Sequence, residues 1–218
     1  MNARVVITGG TGYVGRPLIE QLVARGNDVT ALARPESRVR VPNGAQIVEG
    51  SALLATDIAR ALSPRCTLVV LAGTPRPNPF KARQFLDVDL AAARAAAEAA
   101  ERHQGVGHIV YVSVAHPAPV MKAYIDARVA GERLLGATGI RLTILRPWYV
   151  LGPGHRWPYG LVPMYWLLER VPPTRASARR LGLVTRDELV LALVRAIEQP
   201  ASRDRIIEVP EIRKSTTF

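Results

Sequence analysis

The sequence predicts an α/β chain: a doubly wound parallel sheet with helices on both faces and a small cap towards its C-terminal end. Three observations predict it. Residues 5–15, Val-Val-Ile-Thr-Gly-Gly-Thr-Gly-Tyr-Val-Gly, run from a β-branched segment straight into glycines at Gly9, Gly12 and Gly15. Short apolar runs of strand length then alternate with helix-length segments as far as residue 145. Such alternation implies parallel strands joined by right-handed helical crossovers. Beyond Pro147 the alternation stops, and residues 148–182 hold all three tryptophans together with several prolines.

Each element has its own reason. Val5, Val6 and Ile7 are continuously apolar, as a strand buried on both faces requires. Residues 16–25 carry helix-compatible spacing, and Gly26 can end that helix. Residues 29–33 and 46–49 read as the second and third strands, with a short helix over 56–62. Residues 67–72 are fully apolar and therefore central in the sheet. Pro75, Pro77 and Pro79 force a loop. The longest helical segment spans 81–103, and its alanine-rich part has very high helix propensity. Residues 108–113 form the fifth strand, 120–135 a helix and 142–145 the sixth strand. Thr185-Arg-Asp-Glu188 has the spacing of a capping box, opening an amphipathic helix through Leu189, Leu193, Val194 and Ile197. Residues 205–209 read as a last strand. The whole of 1–218 is expected to be one domain, with 148–182 as a cap on its substrate side.

Composition bounds the function. The chain has 218 residues, enough for one α/β domain with a sizeable core. Its one cysteine, Cys66, excludes an intrachain disulfide, and the first strand begins within a few residues of Met1, so a cytoplasmic protein is expected. No apolar stretch approaches a bilayer span. The net charge of +11 comes almost entirely from arginine, since Lys81, Lys122 and Lys214 are the only lysines. Those arginines are spread along the chain with no like-charged block and no interleaved aromatics, which argues against a nucleic-acid partner. Four scattered histidines with one cysteine make no metal site. A Gly-x-Ser-x-Gly elbow is absent, which argues against a serine hydrolase.

In an open parallel sheet, ligands bind beyond the carboxyl ends of the strands. Those ends carry Gly9 to Gly15, Arg34, Ser51, Ala72 to Thr74, Val112 and Ser113, and Arg146 to Val150. Gly9 and Gly12 let a tight turn come close to a phosphate, and Gly15 lets the next helix pack on the strand with its N-terminus facing a pyrophosphate. An acid about 20 residues past the glycines would select NAD through the ribose hydroxyls. Arg34 stands there instead, and its fork suits a 2′-phosphate, with Arg38 to assist, so NADP is favoured over NAD. The other possibility is that Glu36 supplies the acid.

Two segments resemble a known family. Thr8-Gly9-Gly10-Thr11-Gly12-Tyr13-Val14-Gly15 has the Thr-Gly-x-Thr-Gly-x-x-Gly spacing of the extended and atypical short-chain dehydrogenase/reductases. Leu145-Arg146-Pro147 through Gly152-Pro153-Gly154 resembles that family's segment after the sixth strand. The resemblance covers residues 3–209 and implies a Rossmann fold that binds NAD(P), as in the epimerase/dehydratase-like enzymes. It implies cofactor contacts at Tyr13 and Val14 near the pyrophosphate, Ser51 near the adenine and Ala72 and Gly73 near the ribose, with Thr11 and Thr74 as further cofactor-binding residues. Residues from Pro147 to Val150 are placed by it near the nicotinamide, and Val112 is a further expected cofactor-binding residue.

The family's catalytic signature is a serine after the fifth strand and Tyr-x-x-x-Lys on the next helix, the last two sharing one helix face. Here those positions hold Ser113, Tyr124 and Arg128. Arginine keeps the positive charge that can lower the phenol's pKa and can hydrogen-bond the ribose, but it gives up no proton at ordinary pH. His116 and His155 are alternative proton carriers. The expected function is an NAD(P)-dependent oxidoreductase or epimerase-like enzyme with Tyr124 as acid/base, Ser113 as polarising donor and Arg128 as cofactor clamp. The alternative is a non-catalytic dinucleotide-binding redox sensor or accessory subunit. Trp148, Tyr149, Trp157, Tyr159, Tyr165 and Trp166 point to a small, mainly apolar or aromatic substrate.

Overall fold

A computed structural model of the chain describes residues 2–75, 77–153, 160, 166, 168 and 170–216. Seven parallel strands form one sheet in the order β3-β2-β1-β4-β5-β6-β9. They are β1 (Arg4–Thr8), β2 (Asp28–Ala33), β3 (Gln46–Glu49), β4 (Cys66–Val70), β5 (Val106–Val112), β6 (Leu142–Arg146) and β9 (Arg205–Glu208). β4, apolar except for Thr67, is the middle strand, every residue of it buried. The chain reverses its direction of travel across the sheet between β1 and β4, which leaves a crevice at their carboxyl ends.

Period-two alternation along the strands sends side chains to two cores. Val5, Ile7, Val69 and Val110 pack with Leu18, Ile19 and Leu22 of α1 (Gly15–Ala24) and with Leu189, Leu193 and Ile197 of α7 (Arg186–Glu198). Val6, Leu68, Val70 and Ile109 pack on the other face, against α2 (Ala55–Ala61) and the alanines of α4 (Ala91–Arg102). Those alanines have no side-chain freedom to lose and let neighbouring helices approach closely. Leu135 of α5 (Lys122–Ala137) joins the same core.

The long helical segment expected over 81–103 is not uniform. A short α3 (Ala82–Gln84) passes into a π turn over Phe85–Leu90 before α4 begins. The capping box forms as expected: Thr185 Oγ1 accepts from the Glu188 N–H at 3.1 Å, and the Glu188 carboxylate accepts from the Thr185 N–H at 2.6 Å.

Beyond Pro147 the structure adds order that periodicity did not suggest. β7 (Tyr149–Leu151) pairs in parallel with β8 (Leu183–Thr185), tying together the two ends of the cap segment. Three-residue strands are too short to leave a pattern in sequence. Between them lies α6 (Pro172–Arg180), and β9 is followed by α8 (Val209–Arg213), whose Val209 and Ile212 are fully buried, and by a 3-10 turn over Lys214–Thr216. Trp148 packs against the core, whereas Trp166 is exposed. Gly154, His155, Trp157, Tyr159, Leu161, Val162, Met164, Tyr165 and Leu167 lie outside the described residues. Among the described residues, no helix is long and apolar enough to cross a membrane.

Candidate active site

The glycine turn stands at the β1/β4 crevice, and its geometry explains its composition. Gly9 has φ +76°, and a β-carbon there would lie 2.7 Å from the Ala72 backbone nitrogen. The Gly12 N–H donates to the Gly9 carbonyl at 3.0 Å, closing the turn. A β-carbon at Gly15 would collide with that same carbonyl. No side chain caps α1, and no acid occupies its first turn, so the positive end of the helix faces the crevice unopposed.

A cavity of about 470 Å³ opens there. Gly9, Gly12, Tyr13, Val14, Gly15, Gly73, Thr74, Val112 and Arg128 line it, bringing together most of the cofactor residues expected from sequence. Leu71, Pro75, Pro77 and Pro153 complete the wall. Thr11, Arg34, Ser51, Ala72, Ser113, Tyr124, Pro147 and Val150 are not among its lining residues. Thr11 is half-buried within the turn, and Ala72 supplies the backbone against which Gly9 packs. The Ser51 hydroxyl accepts from the Leu53 N–H at 3.2 Å, while its own N–H donates to Asp57 at 2.8 Å. Pro147 accepts from the Ala115 N–H at 2.9 Å, and Val150 pairs with Val184 across the small sheet.

Arg34 and Arg38 are exposed beyond the end of β2. Arg34 Nε lies 3.2 Å from Glu36, and Arg38 donates to Glu49 at 2.6 Å. Glu36 therefore meets the arginine rather than standing alone at the strand end.

The densest chemistry surrounds Arg128. Its Nη2 lies 2.7 Å from the Asp89 carboxylate, with both side chains buried. Its Nη1 donates to the Val112 carbonyl at 3.0 Å. The rings of Tyr111 and Tyr124 flank the guanidinium, with centroids 5.7 and 5.4 Å from Cζ. Burial alone would weaken the arginine's hold on its proton, but Tyr124, Tyr111 and Asp89 outweigh it and raise its pKa above the ordinary value. Arg128 is a permanent cation. The buried Tyr111 phenol is pushed up, chiefly by burial.

Tyr124 is half-buried, its ring 5.0 Å from that of Phe85. Ser113 is buried at the end of β5, and its hydroxyl has no hydrogen-bond partner among the described residues. Lys122 points elsewhere, to Asp126 at 2.7 Å on the solvent side. His116 stands 3.8 Å from Glu132, which is itself held by Arg146.

Asp89 and Tyr111 are the residues that sequence reasoning missed. The Asp87-Val-Asp89 run gave no means of telling which acid faces inward. Cys66 is buried in β4, and burial pushes its thiol up, which keeps it unreactive. No group of three His, Cys, Asp or Glu among the described residues could hold a metal ion.

Two curated relatives are each 27% identical to the chain. One is a ceramide reductase from Caulobacter vibrioides, matched over 96% of this chain and 65% of its own length. The other is a 3-diazoavenalumate denitrifying reductase from a Streptomyces species, matched over 91% and 73%. The chain thus spans about two thirds to three quarters of the relatives' lengths. Among solved structures, the Bordetella bronchiseptica enzyme WbmH in complex with NAD+ superposes with a TM-score of 0.71, at 21% identity over 97% of this chain and 79% of that one. The Thermus thermophilus UDP-glucose 4-epimerase complex with NAD gives 0.68, at 19% identity over 96% and 81%. These likenesses show the fold, a Rossmann-type parallel sheet flanked by helices. The model of the family described as NAD(P)H-binding matches residues 9–159, from the glycine turn past the Arg146-Pro147 segment, and the chain belongs to that family.

Proposed function

We propose that the chain is an NADP(H)-dependent oxidoreductase or epimerase-like enzyme acting on a small, mainly apolar or aromatic substrate. The observation that carries this is the single cavity in which the glycine turn, Thr74, Val112 and Arg128 meet. The dinucleotide fits that cavity: its walls are backbone where a β-carbon would collide, and a helix N-terminus points in. When bound, the nicotinamide supplies reversible two-electron transfer.

In this reading the turn's N–H groups and α1 hold the diphosphate. Arg34 trades its exposed contact with Glu36 for the 2′-phosphate, assisted by Arg38. Ser51 borders the adenine, and Ala72 and Gly73 border the ribose. Arg128 presents fixed N–H donors to the nicotinamide ribose, and Pro147 and Val150 bound the ring. Tyr124 gives or takes the proton at the substrate oxygen, and the Ser113 hydroxyl polarises that oxygen. Arg128 takes no part in moving the proton. The segment 148–182 acts as a cap of the one domain and keeps water out, in a cytoplasmic enzyme. That both curated relatives are reductases supports the redox assignment.

The test is a thermal-shift titration with NADPH and NADH, followed by NADPH oxidation with a panel of aromatic aldehydes and ketones. NADPH should raise Tm more than NADH does, and a protein indifferent to both refutes the reading. Tyr124→Phe should keep NADPH binding and lose turnover. Full turnover in that variant removes Tyr124 from the chemistry. Binding without turnover in the wild type itself favours the non-catalytic sensor, a reading that the crowding of Arg128 by Asp89 and two rings also suits.

A further inference from the structure

Two pairs of residues, each spaced four apart, face one another across the site. Phe85 and Asp89 lie on the π turn, Tyr124 and Arg128 on α5. Phe85 meets Tyr124 at 5.0 Å between ring centroids, and Asp89 meets Arg128 at 2.7 Å. A π turn carries an extra residue, and here it leaves Phe85 and Asp89 both buried while the Asp87 side chain is exposed. The second Asp89 oxygen accepts from the Thr74 N–H at 3.0 Å and from the Thr74 hydroxyl at 2.5 Å. One carboxylate therefore fixes two residues that line the cavity, Thr74 and Arg128.

We propose that Asp89 is a positioning residue that makes arginine, rather than lysine, the working residue at position 128. The proposal rests on the cofactor-binding reading of the cavity. A guanidinium has five N–H donors in a rigid plane, and it can satisfy Asp89 and the Val112 carbonyl while still presenting donors to the cavity. A lysine has one nitrogen. Beside a fully buried aspartate that nitrogen is drawn to the acid, and its charge leaves the cavity.

The surroundings are cut to the guanidinium as well. A β-carbon at Gly73 would collide with Arg128 Nη2, and one at Gly131 would lie 2.6 Å from the Tyr111 hydroxyl beside it. The other charged group on this face of α5, Glu132, is taken by Arg146 and does not compete. Asp89 and Arg128 thus form a unit. Removal of either member leaves the other as an uncompensated buried charge.

The test compares four full-length proteins: wild type, Arg128→Lys, Asp89→Asn and the double variant. Two quantities are read, Tm without cofactor and the Kd for NADPH by fluorescence titration. Each single substitution should lower Tm and weaken NADPH binding by about tenfold or more. The double variant should bind NADPH within about threefold of wild type, because a neutral asparagine releases the lysine to the cavity. Tm should recover in parallel. Losses that simply combine, multiplying in Kd and adding in Tm, overturn the proposal. If a single variant is insoluble, a folded double variant is the same coupling, and a double variant that also fails overturns it. A wild type that binds neither NADPH nor NADH defeats the cofactor reading instead, and the Tm comparison alone then decides whether Asp89 and Arg128 act together.

Discussion

The Tyr13 hydroxyl occupies the space that a β-carbon at Gly152 would need, which joins the glycine turn to the start of the cap segment. Tyr13 lines the cavity, and the Arg186 guanidinium lies 5.5 Å from its ring centroid. Gly152 has φ +154°, a conformation that favours glycine. Gly152→Ala should therefore displace Tyr13 and strain the backbone together, at a cost of about 1–3 kcal/mol. NADPH affinity should fall by about tenfold, more than the loss of Tm alone would explain. Unchanged affinity in a destabilised variant would show that this contact serves the fold only.

Arg34 is the expected selector between the two dinucleotides, and its exposure makes it a clean target. Its contact with Glu36 is a surface ion pair of little energetic weight, so changing it leaves the fold alone. Arg34→Glu should weaken NADPH binding by about tenfold or more through loss of a charge-assisted contact and should improve NADH binding. Parallel changes in both Kd values would remove the 2′-phosphate from this position.

Most of the sheet was legible because its inner strands β1, β4, β5 and β6 are buried on both faces and so carry near-continuous apolar runs. β3 fell on its expected residues although it is an exposed edge strand, and the run from residue 67 to 72 placed β4 centrally, where the strand is Cys66–Val70. The glycine turn was legible because three steric demands meet in seven residues. What escaped was long-range or conformational. Nothing in the spacing of Asp87 and Asp89 announces a π turn, since both fit an ordinary helix. The pairing of β7 with β8 joins residues more than thirty apart through six positions of no strong pattern. Arg146 was read as a strand-end residue facing ligand, yet from the end of β6 it is held by Glu132 of α5, a partner brought close only by the fold.

That pair supports a stability prediction. Arg146 donates to both oxygens of Glu132, at 2.9 and 2.5 Å, with both side chains largely buried and Glu208 at 3.8 Å. Glu132→Ala strands a buried guanidinium and should cost about 3 kcal/mol, read by urea unfolding. The double variant Glu132→Leu, Arg146→Met removes both charges and should be less destabilised than either single variant. A double variant that is worse than both would mean the pair is net stabilising in its own right.

His108 gives the fold a specific acid sensitivity. It lies buried in β5, its Nε2 2.9 Å from the Thr143 hydroxyl, while Nδ1 has no partner among the described residues. Burial, reinforced by the charge of Arg141, pushes its pKa down to about 4. The unfolded chain binds this proton near pH 6.5, and the folded chain refuses it until about pH 4. The unfolded state therefore holds more protons between those limits, and stability must fall as the pH drops through them. The contribution is complete above about pH 6.5, and about 2 kcal/mol of it is lost by about pH 5. His108→Asn keeps a polar partner for Thr143 without the titration. Its unfolding free energy should decline less steeply than that of wild type between pH 7.5 and about 4.5. Equal slopes in the two proteins would place the acid sensitivity elsewhere in the chain.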